Sequence, residues 1–177
     1  MRFIATAVQG AFVIEPHKIE DERGFFARAW CEEEFRDADL VASIVQSNMA
    51  VSRIRGTLRG LHYQRAPDEE VKVVRCIKGS MFDVVVDLRQ ESQTYLKWYG
   101  LELNDANNLA LYVPAGCATG YITFEDGTAM HYHSSTYFSP GTATGIRFDD
   151  PAIGIGWPIE AVVISEQDRT WPYLSLE

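Results

Sequence analysis

Short β-like runs, cut about every ten residues by Gly, Pro, Asn or Asp, constrain this chain more than any other feature. "FVIEP", "VKVVRCI", "SMFDVVVDLR", "LALYVPAG", "GYITFED", "AMHYHSSTYF" and "TGIRFDD" follow one another with little helical pattern between them. Such spacing favours an all-β sandwich or barrel over alternating strands and helices. Lys78-Gly79-Ser80 joins two of the runs and has the character of a hairpin turn. Two short helices are expected. One covers residues 31–40, acidic at its start with Phe35 and Leu40 as apolar positions. The other lies near "ISEQDRTW", with Ser165 as its N-cap. No repeat, low-complexity stretch or linker breaks the pattern, so one β-rich domain over residues 1–177 is the economical expectation.

Composition narrows the function classes. A hydrophobic share of 46% with 23% charged residues describes an ordinary globular protein. Sixteen basic against twenty-five acidic residues leave a net charge of −9, which argues against nucleic acid or an anionic membrane as partner. A local basic pocket for a phosphorylated ligand stays open. The opening residues lack a basic stretch followed by an apolar core, so no signal peptide is expected, and no apolar run approaches the roughly 20 residues of a membrane span. Cys31, Cys76 and Cys117 are odd in number and without CxxC spacing, which suits free thiols in a reducing cytoplasm.

"VPAGCATGY" has the cadence of a cupin metal-binding strand, but Thr119 stands where a histidine would close the metal site. "LHYQ" offers one histidine instead of an HxH pair, and threonine is a poor transition-metal ligand. His131 and His133 share one face of a strand and Tyr132 the other. Two histidines are too few for a catalytic zinc or iron site, so they are expected on a polar outer face. Neither metal nor other cofactor is expected.

Without a metal, His62 suits a general base, since imidazole titrates near neutrality. Asp168 could orient the ring and stabilise its protonated form. Lys72 could hold positive charge over a developing oxyanion, and Tyr132 could return a proton from the opposite side. That set fits removal of a carbon-bound proton beside a carbonyl and reprotonation on the other face, which is epimerisation.

"RGFFARAW", "GTLRGLHYQ", "VKVVRCIKGSMFDVVVDLR", "VPAGCATGY", "FDDPAIGIGWP" and "ISEQD" occur in an order that resembles the dTDP-4-dehydrorhamnose 3,5-epimerase family, over about residues 8–172. The resemblance implies a cupin-type jelly-roll β-barrel with few helices and a homodimer with exchanged N-terminal strands. It implies cofactor-free epimerisation of a nucleotide-linked 4-keto-6-deoxyhexose at C3 and/or C5. By position, it gives His62 as base, Asp168 as its partner, Lys72 near the C4 carbonyl and Tyr132 as general acid. Arg23 and Arg59 match diphosphate-holding arginines, Gln46 and Asn48 nucleotide contacts, and Phe26 a ring stacked on the base. Arg59 and His62 are three residues apart, on opposite faces of an ideal strand, so a bulge at Gly60 is required for both to serve one site.

Three positions depart from the resemblance. Thr119 replaces a histidine and keeps only a hydroxyl for hydrogen bonding. Arg28 stands where relatives carry a glutamate that recognises thymine, which weakens dTDP as the nucleotide. Phe138 takes the place of a second tyrosine, which points to action at one carbon, with Tyr137 beside it as a partial substitute. A ketoisomerase and a non-catalytic sugar-nucleotide-binding cupin are the competing readings.

Overall fold

The computed structural model describes residues 1–175. From the N-terminus come β1 (Arg2–Ala5), β2 (Phe12–Glu15), β3 (Lys18–Asp21), β4 (Gly24–Ala27) and helix α1 (Glu32–Asp37). There follow β5 (Gln46–Ser52), β6 (Thr57–Gln64), β7 (Lys72–Lys78), β8 (Ser80–Asp87) and β9 (Trp98–Asn104). Next are β10 (Ala110–Val113), β11 (Cys117–Thr123) and β12 (Thr128–Ser134), then β13 (Ala143–Gly145), β14 (Val163–Ile164) and helix α2 (Glu166–Thr170).

Two sheets face each other. One runs β1-β2-β10-β7-β12-β5; the other runs β13-β6-β11-β8-β9, with β14 parallel to β6. The architecture is the expected cupin-type jelly roll. Among the described residues β3 and β4 pair only with each other, as a separate hairpin.

Period-two alternation sorts the side chains. Val74, Met81, Val85, Leu111 and Met130 point between the sheets and form the central core. Their neighbours Val73, Ala110 and Tyr112 face outward under Phe35 of α1. Val84, Val86 and Ala118 face outward under Ile153, with Ile155 and Trp157 packed alongside. Both faces of the central strands are thus covered, which explains why "DVVVDL" is nearly continuous in apolar character. Each fully buried Val or Leu contributes about 1.5–3 kcal/mol of transfer free energy.

Two local expectations change. The turn at 78–80 is not a hairpin, because β7 lies in one sheet and β8 in the other. Gly79, with φ +75°, turns a corner between layers, and a Cβ there would lie 2.9 Å from the Thr128 hydroxyl. The first helix is shorter than 31–40: Ala38 is its C-cap and Asp39 takes φ +56°, which ends the helical path. Phe35 is its buried anchor, as its apolar position implied. The second helix is as expected, with the Ser165 hydroxyl accepting from the Asp168 amide at 3.1 Å.

Candidate active site

A cavity of about 540 Å³ opens between the sheets at one end of the barrel. The inward positions that carry the core elsewhere change character here: Lys72 precedes Val74 on β7, Asp83 sits between Met81 and Val85 on β8, and Tyr132 follows Met130 on β12. His62, Arg59, Thr119 and Asp168 complete the polar lining.

β6 delivers both His62 and Arg59 through the bulge that the sequence required. His62 lies opposite Thr119 and Arg59 opposite Tyr121, so three steps on β6 match two on β11. Gly60 has φ +124°, and a Cβ there would lie 2.6 Å from the Gly120 Cα. The two glycines let the backbones approach at the bulge. Arg59 lines the cavity while its guanidinium donates to the Ser52 hydroxyl and the Val51 carbonyl at 3.4 and 3.3 Å.

His62 Nε2 and Asp168 Oδ1 are 2.6 Å apart. Asp168 is buried and accepts further bonds from the Gly60 amide at 3.3 Å and the Trp171 indole at 3.2 Å. Burial alone would push this carboxyl up, but the His62 contact and the two other donors outweigh it and leave it below the usual carboxylate range. An ionised Asp168 accepts from Nε2–H, which leaves the lone pair of His62 on Nδ1. That is the tautomer a base needs.

Lys72 Nζ pairs with Glu70 Oε1 at 2.9 Å, both side chains being nearly buried. Glu70 Oε2 accepts from the Ser134 hydroxyl at 2.6 Å, so the carboxylate is fixed on both oxygens. The Lys72 ammonium lies 5.9 Å from the centre of the Tyr132 ring. Burial, then the Glu70 charge, raises the Tyr132 phenol, so it holds its proton at neutral pH. His62 and Asp168 therefore belong to one wall, and Lys72 and Tyr132 to the facing sheet. His131 and His133 point outward, their rings 4.6 Å apart, with His133 Nδ1 2.6 Å from the Ser47 hydroxyl. Among the described residues no group of three or more His, Cys, Asp or Glu could hold a metal ion.

The remaining sequence-derived positions fall outside this lining. Asn48 sits opposite Tyr132 and Gln46 opposite Ser134 on β5, and Gln46 Nε2 donates to Asn48 Oδ1 at 3.1 Å. Phe138 is exposed, and its amide donates to Gln46 Oε1 at 3.2 Å. Arg23 and Phe26 lie on the exposed β3–β4 hairpin, Arg23 paired with Asp21 and Phe26 71% exposed. Arg28 pairs with Glu34 of α1 at 2.7 Å. None of these last three reaches the cavity of its own chain.

Asp83 and Glu70 were not singled out from the sequence. Each left a signal: Asp83 is a lone charge at an inward position of an apolar strand, and Glu70 is two residues from Lys72 on extended chain.

The family model described as dTDP-4-dehydrorhamnose 3,5-epimerase matches residues 5–175. A dTDP-4-dehydrorhamnose 3,5-epimerase of Methanothermobacter thermautotrophicus is 43% identical over 96% of this chain and 92% of its own length. The crystal structure of dTDP-4-dehydrorhamnose 3,5-epimerase from Bacillus anthracis, with TDP and PPi bound, superposes with a TM-score of 0.94 at 34% identity, covering 98% of this chain and 99% of that one. A 3'-monoepimerase from Streptomyces bikiniensis in complex with dTDP-quinovose superposes with a TM-score of 0.87 at 33% identity, covering 95% and 85%.

Proposed function

The chain belongs to the dTDP-4-dehydrorhamnose 3,5-epimerase family, and from that premise we propose how its cavity carries out the reaction. The enzyme is an isomerase of nucleoside-diphosphate 4-keto-6-deoxyhexoses, acting at C3, C5 or both. His62 Nδ1 takes the proton from the carbon beside the C4 carbonyl. The C–H electron pair becomes the enolate double bond, and negative charge moves to the C4 oxygen beside Lys72. The Tyr132 hydroxyl gives its proton to the same carbon from the opposite side, inverting the centre. Asp168 stabilises the imidazolium until solvent exchange resets both groups.

The observation that carries this reading is the placing of the His62–Asp168 pair and of Tyr132 on facing sheets. A single wall could abstract and return a proton on one side only. In D₂O, the enzyme is expected to introduce deuterium at C3 or C5 of a dTDP-4-keto-6-deoxyhexose. His62→Ala should reduce that wash-in by ~10²–10⁴-fold, and an undiminished rate would remove His62 from the chemistry. Tyr132→Phe should slow product formation more than wash-in, and equal loss of both would count against its role as acid. NMR of the product separates an inverted centre from a relocated carbonyl, the mark of a ketoisomerase.

We further propose that one domain and a homodimer with exchanged N-terminal strands complete the site. The β3–β4 hairpin supports this: it pairs with neither large sheet and exposes Ile19, Phe25 and Phe26. β5 supports it too, as an edge strand whose outward Met49 is 74% exposed. In that assembly Arg23 and Phe26 reach the cavity of the partner subunit, where guanidinium groups hold the diphosphate and a ring stacks on the base. Free thiols at Cys31, Cys76 and Cys117 support a cytoplasmic setting.

A further inference from the structure

Asp83 is 1% exposed, yet it lines the cavity. Thr119 Oγ1 donates to Asp83 Oδ1 at 3.2 Å, and Asp83 Oδ2 has no partner among the described residues. A buried carboxylate with an idle oxygen is costly, whereas a carboxylic acid in the same place has one O–H to give. Thr119 is what leaves that O–H free, since its hydroxyl occupies the other oxygen.

Resting on the epimerase reading, we propose that Asp83 acts as a neutral carboxylic acid whose Oδ2–H donates a hydrogen bond to the C4 oxygen of the substrate beside Lys72. The bond strengthens as charge moves onto that oxygen, so it favours the enolate over the ketone. An ionised Asp83 would do the reverse, setting a negative charge next to the developing one. The acid form prevails at neutrality: burial pushes the Asp83 carboxyl up to about 8, against the opposing pulls of the Thr119 hydroxyl, the Val84 amide and the Lys72 charge. The other titratable groups facing this space are His62 and Arg59 from β6, Lys72 from β7, Tyr121 from β11, Tyr132 from β12 and Asp168 from α2. Both tyrosines are raised above 10 by burial, and Asp168 is lowered, so neither kind titrates near 8.

The test is the pH dependence of kcat/KM for deuterium wash-in, which reports the free enzyme. The wild type should lose rate as pH rises through about 8. Asp83→Asn keeps a donor, because its amide oxygen can accept from Thr119 while its NH₂ takes the idle position. It should cost roughly tenfold at neutral pH but lose the alkaline limb, so that near pH 9.5 it outruns the wild type. Thr119→Val removes a bond that favours the ionised form and should move the limb up by roughly half to one pH unit. This second arm decides the matter if the Asn protein does not fold. An alkaline limb unchanged in the variants overturns the proposal. So does a wild-type infrared difference spectrum between pH 6.5 and 9.5 that lacks loss of a protonated-carboxyl band. A wild type that incorporates no deuterium at any pH sinks the epimerase reading itself, whereas exchange with unaltered limbs sinks only the role of Asp83.

Discussion

At the residue scale, Asp168 carries more than an orienting contact. Its two oxygens accept three N–H donors, from His62, Trp171 and Gly60. Asn at this position must turn its NH₂ toward one of those donors, leaving a buried pair of like groups. It also lacks the charge that supports the imidazolium. Asp168→Asn should therefore lower kcat by ~10²–10⁴-fold, a loss of the size seen when a buried carboxylate behind a histidine is neutralised. The folded-state carboxyl lies below its unfolded value, so its contribution to stability is present above about pH 4 and lost as pH falls through the folded value. Urea melts from about pH 6 down to about pH 3 should accordingly show the wild-type advantage over Asp168→Asn holding to about pH 4 and shrinking below it. A constant gap across that range would mean that the stabilisation does not come from the charge.

At the element scale, the bulge between β6 and β11 decides whether Arg59 and His62 share a cavity. Gly120 tests it more cleanly than Gly60, whose positive φ adds backbone strain to any substitution. A Cβ there would lie 2.7 Å from the Arg59 carbonyl, 2.8 Å from the Leu61 side chain and 3.0 Å from the Gly60 Cα. Two of those neighbours are backbone, so the strands themselves must part. Gly120→Ala should cost about 1–3 kcal/mol in a urea melt. It should also slow deuterium wash-in up to ~100-fold by displacing His62 from its partner. Normal wash-in in a destabilised protein would show that the bulge serves folding alone. Periodicity made the bulge legible, because Arg59 and His62 cannot face one way on a regular strand. The same kind of local signal misread residues 78–80. A tight turn is visible in Lys78-Gly79-Ser80, but whether its two strands pair or pass into different sheets depends on distant partners, Asn104 of β9 opposite Ser80 and Ala129 of β12 opposite Lys78. Asp83 escaped for a related reason: its meaning lies in Thr119 and Lys72, which only the packed sheets bring to it. His62, Asp168, Lys72 and Tyr132 could be grouped from the sequence because their residue types make one chemical set and the resemblance places each by motif, and all four line one cavity.

At the scale of the whole molecule, the question is which chain's hairpin serves which cavity. Arg23 and Phe26 stand on β3–β4, away from the cavity of their own chain, and the hairpin's apolar residues are uncovered. If the strands are exchanged, each working site takes His62 from one subunit and Arg23 with Phe26 from the other. Two inactive proteins should then rescue each other. A His62→Ala chain lacks the base but offers an intact hairpin, while an Arg23→Ala, Phe26→Ala chain keeps the base and lacks the hairpin's contacts. Mixed and reassembled in equal amounts, half of the dimers pair unlike chains, and each of those has one complete site. About a quarter of the wild-type sites should return, given a twofold dimer with random pairing. Product formation at saturating sugar nucleotide measures that fraction directly, and sedimentation confirms the dimer. Activity no higher than the sum of the two parents would assign the hairpin to its own chain and remove the exchange, while the single-chain set of His62, Asp168, Lys72 and Tyr132 would stand unaltered.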